Sequence, residues 1–185
     1  MGARVDVLVG LGNPGQRYHH TRHNIGFDVI DALAQRYRIT VRQREADALC
    51  GTGHIGPRTV LCVKPQTYMN ASGQSVAPLV QRYLRQGELL IVVHDDIDLP
   101  LGTLKLKRQG GDAGHLGIRS LIACLKSDAF LRIRIGVGRP PRKADIVDYV
   151  LSPFTTEEAE ARQMMIAQAV TWVETLLTAP GARAC

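Results

Sequence analysis

Residues 89–98 read LLIVVHDDID. Five apolar side chains, Leu89 to Val93, run without alternation and then give way to a histidine and three carboxylates. An unbroken apolar run of this length, bounded by polar residues, reads as a strand buried on both faces. A strand of that kind needs helices on either side of its sheet, so the segment points to an α/β architecture. Outward from it, Val5–Val9 is a second short apolar run, closed by Gly10, and Thr59–Val63 a third, closed by Lys64-Pro65. Thr103–Lys107 and Leu131–Gly136 alternate instead: Leu104 and Leu106 oppose Lys105 and Lys107, and Ile133 and Ile135 oppose Arg132 and Arg134. Between these strands lie helical patterns. Ile25, Val29, Ile30, Leu33, Ala34 and Tyr37 recur at helical spacing, as do Val76, Leu79, Val80, Tyr83 and Leu84, where Pro78 fits only near a first turn. A short helix is expected over 115–125. A longer one is expected over about 155–178, opened by a Thr155–Glu158 capping box and striped by Met165, Ala169, Trp172, Val173, Leu176 and Leu177. With no repeat and no Pro/Gly/Ser linker, residues 1–185 read as a single α/β domain, a mixed sheet covered by helices.

Lys and Arg outnumber Asp and Glu by 23 to 17, a net charge of +6 that permits a polyanionic partner without requiring one. The content of 45% hydrophobic and 22% charged residues excludes a disordered or fibrous chain. Cys50, Cys62, Cys124 and Cys185 form no C-x-x-C pair and no zinc spacing. Cys62 and Cys124 sit in apolar runs and are expected as buried, reduced thiols of a cytoplasmic protein. No segment reaches the ~18–20 apolar residues of a membrane span, and the first ten residues lack the pattern of a signal peptide.

The polar oddities gather in loops at 10–22, 64–72, 94–102 and 109–115, and sites of α/β folds gather on such loops. Gly10, Gly12 and Gly15 match G-x-G-x-x-G, but Pro14 deletes a backbone donor and no helix begins inside the motif, so a tight turn presenting Asn13 is the better reading than a dinucleotide site. His23 stands at the mouth of the first helix. Three carboxylates in HDDID repel one another unless compensated, and one of them beside a histidine would fix its tautomer and raise its basicity. No serine lies in G-x-S-x-G, no H-x-x-x-H pair sits on a helix face, and the acidic run lacks the glycine and terminal glutamate of a calcium loop. Lys105, Lys107, Arg132 and Arg134 form a candidate basic face, which edge-strand protection also explains.

Taken together, GLGNPG (10–15), Tyr18, TRHN-x-G (21–26), KP-x-T-x-MN-x-SG (64–73), HDD-x-D (94–98), G-x-x-K-x-K (102–107), GH-x-G (114–117) and RIGVGRP (134–140) resemble one family, the bacterial-type peptidyl-tRNA hydrolases. The resemblance runs almost end to end. It implies a single domain with a twisted, mixed sheet wrapped by helices. It also implies hydrolysis of the ester joining peptide to tRNA, which recycles tRNA from stalled translation, with no metal and no cofactor. By resemblance, His23 is the catalytic histidine, Asp95 its carboxylate partner, and Asn13 and Asn70 hold the substrate end and the water. Lys105, Lys107 and Arg134 match residues that clamp tRNA phosphate. Tyr18, Met69, Gly114, His115 and Leu116 match further substrate contacts. Leu116 departs from the family pattern, which commonly has Asn in GH-N-G. The implied partner is peptidyl-tRNA, met at its acceptor end and phosphate backbone, without a membrane, by a monomer. Segment 139–153, with Pro140, Pro141, Pro153 and the apolar patch Ile146–Leu151, is expected as a flap over a peptide channel. The rival reading is a non-catalytic RNA-binding protein on the same fold.

Overall fold

A computed structural model of the chain describes residues 4–179. Among these residues seven strands form one sheet: β1 (Asp6–Gly10), β2 (Gln43–Glu45), β3 (Ala48–Ile55), β4 (Arg58–Pro65), β5 (Leu90–Asp96), β6 (Leu104–Lys107) and β7 (Leu131–Gly136). Their order is β2-β3-β4-β1-β5-β7-β6. The four central strands are parallel, and antiparallel strands finish both edges, so the sheet is mixed. Among the described residues five α-helices accompany it: α1 (Ile25–Tyr37), α2 (Ser72–Tyr83), α3 (Leu116–Leu125), α4 (Ile146–Val150) and α5 (Ala159–Thr178).

Period-two alternation divides the core into two layers. Leu8, Cys62, Ile91, Val93, Ile133 and Ile135 pack under α1 and α5. Val7, Val9, Leu61, Val63, Leu90 and Val92 pack under α2 and α3. The chain leaves β1 through α1 to reach β4 on one side, then crosses through α2 to β5 on the other. The strand order therefore switches at β1, which opens a crevice at the carboxyl ends of the strands. Gly10 and Gly26 make the close approach that carries the chain from β1 into α1: a Cβ on Gly10 would collide with the Gly26 carbonyl. The first glycine of the G-x-G-x-x-G match thus serves strand–helix packing.

Several expectations need correction. The sequence offers no clear element over 43–55, where the structure has the β2–β3 hairpin. Gly51 and Gly53 weaken the strand signal there, and both are required because Thr40 and Ile39 cross directly over them. Pro78 is the seventh residue of α2, not in its first turn; it is exposed, so the carbonyl it leaves unpaired can turn to water. The last helix begins at Ala159 because Thr155 does not cap it. Only half of the capping box forms, with the Thr155 N–H donating to Glu158 Oε2 at 2.8 Å, and the same oxygen is drawn to Arg22 at 2.6 Å. Cys124 is exposed, while Cys62 is buried with its thiol pushed up to about 12, chiefly by desolvation. Cys185 lies outside the described residues. Leu106 is half exposed at the free edge of β6. Arg132 does not join a basic surface: it is fully buried and donates to the carbonyls of Gly110, Gly111 and Asp128. Among the described residues, no helix is long and apolar enough to cross a membrane.

Candidate active site

The crevice at the strand ends is a cleft of about 620 Å³. Each catalytic candidate reaches it by a separate route. The chain leaves β1 with its ladder intact through Leu11 N–H to Val93 O, and then turns at Asn13. The Asn13 N–H donates to Asn24 Oδ1 and Asn24 Nδ2 donates back to Asn13 O, both at 2.9 Å, so the loop is tied to the mouth of α1. Asn13 Oδ1 accepts the Met69 N–H at 2.7 Å. An oxygen committed to that donor leaves the amide Nδ2 as the group available to the cleft. Asn70 follows Met69 in a 3₁₀ turn and stands exposed on the cleft wall.

Strand β5 runs on through the acidic residues as far as Asp96, so His94, Asp95 and Asp96 are buried strand residues. Alternation turns Asp95 to the α1 side and His94 to the α3 side. His23, in the 3₁₀ turn Arg22–Asn24, places Nδ1 2.9 Å from each Asp95 oxygen. His115 caps α3: its Nδ1 accepts the N–H groups of Gly117 and Ile118 at 3.1 and 3.3 Å, and its Nε2 lies 2.9 Å from Asp95 Oδ1. Gly114, at φ +84°, supplies the turn that delivers His115 to this position. The carboxylate cluster is compensated residue by residue. Asp95 faces two imidazoles, Arg134 Nε donates to Asp96 Oδ2 at 2.7 Å, and Arg139 pairs with Asp98.

Burial would depress the basicity of His23, but the charge and hydrogen bond of Asp95 outweigh it, and the imidazole titrates above its ordinary 6.5. Burial likewise opposes the charge on Asp95, yet the two facing imidazoles hold its carboxyl far below the usual carboxylate range. His94 is neutral: burial pushes its pKa well down, and the neighbouring His115 adds to the effect. With its carboxyl held in the ionised form, Asp95 accepts hydrogen bonds and donates none, so His23 Nδ1 must donate to it. The lone pair of His23 then sits on Nε2, which has no hydrogen-bond partner among the described residues and faces a cleft lined by the same side chain. Among the described residues, His23, Asp95 and His115 are also the group of side chains close enough to share a metal ion. Both ring nitrogens that face Asp95 carry protons in this arrangement, so a metal would have to displace both.

A family model described as peptidyl-tRNA hydrolase matches residues 7–184. Curated peptidyl-tRNA hydrolases from Alkaliphilus oremlandii and Bacillus subtilis are 48% and 47% identical over 171 and 174 residues. The first match covers 92% of both chains, the second 94% of this chain and 93% of the relative. The crystal structure of peptidyl-tRNA hydrolase from Acinetobacter baumannii is similar at a TM-score of 0.88 and 36% identity, covering 94% of this chain and 88% of that one. This chain belongs to the peptidyl-tRNA hydrolase family.

Asn13, Tyr18, His23, Met69, Asn70, Asp95, Gly114, His115 and Leu116 all line the one cleft. Met69 is buried and contributes its backbone N–H to Asn13. His115 has both ring nitrogens engaged within the protein, so its side chain is not free to bond substrate. Lys105, Lys107 and Arg134 lie outside the cleft, on β6 and β7. Lys105 is exposed opposite Arg134 in register, whereas Lys107 Nζ donates to Gly111 O at 3.0 Å. Ile146, Val147, Val150 and Leu151, from α4 and its end in the 139–153 segment, line the same cleft, as do Tyr68 and Leu116. Arg139 and Lys143 add two cations to its lining. Sequence reasoning missed Asn24 and Arg22, the immediate neighbours of His23. Arg22 donates to Tyr149 O, Ser152 O and Pro153 O, and so ties the end of the 139–153 segment to the turn that carries His23.

Proposed function

We propose that the protein hydrolyses peptidyl-tRNA by direct attack of water, with His23 as general base. The observation that carries this reading is the state of His23: Nδ1 is committed to an ionised, buried Asp95, and the basic nitrogen is left to an open cleft beside two asparagine amides. Water attacks the ester carbonyl while His23 Nε2 takes its proton. The Nδ2 groups of Asn13 and Asn70 are the donors suited to the oxyanion that forms. Collapse breaks the bond to the ribose oxygen, which recovers the proton from the imidazolium. The products are a peptide carboxylate and a tRNA with a free 3′ end. A positioned base contributes roughly 10²–10⁴-fold, and each oxyanion donor about 10²–10³-fold. An ester with a ribose leaving group needs no side-chain nucleophile at that level of assistance.

The phosphate backbone would be met by Lys105 and by the Arg134 nitrogens that Asp96 leaves free. Such contacts position the ligand and carry no sequence information. The rival reading, a non-catalytic RNA binder, finds no support in a cleft whose histidine, carboxylate and asparagines are all assembled. The test is incubation with an N-acetylated aminoacyl-tRNA in the presence of EDTA. Free tRNA and the N-acetyl amino acid are the expected products; tRNA bound with its ester intact would overturn the proposal.

A further inference from the structure

We infer that His115 is a positioning residue for hydrolysis, one that holds the Asp95 carboxylate and through it fixes the ring orientation and tautomer of His23. The inference rests on the function proposed above. It begins at the N-terminus of α3, where the N–H groups of Gly117 and Ile118 have no partner within the helix. His115 Nδ1 accepts both, so its lone pair is occupied and the ring proton resides on Nε2. That proton can go only to Asp95 Oδ1, 2.9 Å away. The helix thus dictates the tautomer of one histidine, which pins one oxygen of a buried carboxylate, which in turn receives the proton of a second histidine.

The arrangement has little freedom to relax. The His115 ring meets His94 edge-on at 4.7 Å and lies 5.0 Å from the His23 ring. His94 Nδ1 donates to the Asp95 carbonyl at 2.7 Å, fastening the same residue through its backbone. Gly117 packs so closely that a Cβ there would stand 2.5 Å from Met69 Sδ, which sets the α3 terminus against the turn that carries Asn70. Without His115, Asp95 would keep one donor for a buried charge and would be free to turn about its last torsion. Its charge would also fall on His23 alone, raising the pH at which that ring loses its proton. The other charged or titratable groups around the pair are His94 and Asp96 on β5, Arg132 and Arg134 on β7, Asp112 in the glycine-rich loop, and Arg139 and Lys143 across the cleft. Of these, His94 and Asp112 also feel His115, but each answers chiefly to another cause, burial for His94 and the Arg119 hydrogen bond for Asp112.

Two substitutions separate the cap from the carboxylate contact. His115→Asn keeps an oxygen at the capping position, since Asn is among the best N-caps, but is too short to reach Asp95. His115→Gln keeps a donor at the position of Nε2. We expect His115→Asn to fold with nearly the wild-type Tm and to bind uncharged tRNA as before. Its kcat should fall by roughly 10–100-fold, the usual penalty for losing a partner that orients an active-site group, and the acid limb of its pH profile should move upward. His115→Gln should recover most of both. Unchanged kcat and an unmoved limb in His115→Asn would overturn the inference. So would a loss of kcat with the limb in place that Gln does not repair, because that is the mark of a scaffold residue. If the wild-type protein does not cleave at all, the proposed function fails first; if it cleaves and only the His115 variants behave as wild type, this inference fails alone.

Discussion

Both carboxylate oxygens of Asp95 lie 2.9 Å from Nδ1 of His23, 72 residues away in sequence. The contact does more than hold the ring. It requires Nδ1 to be the protonated nitrogen, and so it leaves Nε2 basic. Asp95→Asn would present an amide to the same nitrogen and permit the opposite tautomer. Activity should fall by about 10²–10⁴-fold, the span attributable to a correctly disposed base, with little change in KM. Steady-state kinetics on N-acetylated aminoacyl-tRNA measure this; a variant within a few-fold of wild type would show that the carboxylate is dispensable.

The pH dependence follows from the same pair. Burial lowers the basicity of His23, the charge and hydrogen bond of Asp95 raise it, and the balance lies above 6.5. In the mechanism we propose, the unprotonated ring is the active form. Activity should therefore rise with pH through that elevated value and be lost as pH falls below it. A profile of kcat/KM from about pH 5 to 9, judged against an ordinary imidazole near 6.5, should place the acid limb on the alkaline side of that reference. A flat profile would remove His23 from the role of base.

Arg22 couples the turn that carries His23 to the end of α4. Its buried guanidinium donates to Pro153 O at 2.9 Å and to Glu158 Oε2 at 2.6 Å, and it stacks on Tyr149. Replacing it with Met would leave Glu158 with the Thr155 N–H alone and no charged partner, and would release the end of α4. Breaking a buried pair from one side costs on the order of 3–5 kcal/mol. Urea denaturation should show a loss toward the lower end, since Glu158 is 20% exposed, together with a raised KM. Unaltered stability would mean that the end of α4 is held by other contacts.

Lys105 is the cleanest probe of phosphate binding, because Lys107 and Arg134 already have partners within the protein. Each phosphate contact contributes about 0.7–0.9 to the slope of log K against log salt. Lys105→Ala should lower that slope by roughly one contact in a titration of tRNA binding. An unchanged slope would place the phosphate contact elsewhere on the surface.

Leu116 leaves an apolar side chain, 47% exposed, at the start of α3, facing the cleft. An amide there could bond the peptide or the water. A hydrogen bond gained is worth about 0.5–1.5 kcal/mol, so Leu116→Asn should lower KM or raise kcat a few-fold. No change in either would indicate that the apolar wall of Tyr68 and Val147 already does that work.

The central strands were legible because burial on both faces leaves an unbroken apolar run, as in Leu89–Val93, and the site was legible because its loops carry residue types with little structural reason to be there. The β2–β3 hairpin was not, because Gly51 and Gly53 answer to the chain crossing above them rather than to strand propensity. Arg132 was misjudged for a related reason: alternation in a strand separates two faces but does not say which is wet, and a buried arginine that caps three carbonyls has the same pattern as a solvated one. The membership of His23 and Asp95 in the site could be anticipated from the blocks around them. The tautomers could not, since they depend on helix N–H groups and ring orientations that exist only once α3 is docked.

The most direct measurement is single-turnover cleavage of N-acetylated aminoacyl-tRNA by the wild-type protein and by His23→Ala, with EDTA present and tRNA affinity measured in parallel. Loss of cleavage by about 10²–10⁴-fold at unchanged affinity, the range expected for removal of a general base, is the predicted result. Cleavage by His23→Ala at the wild-type rate would contradict it and move the base to another group in the cleft.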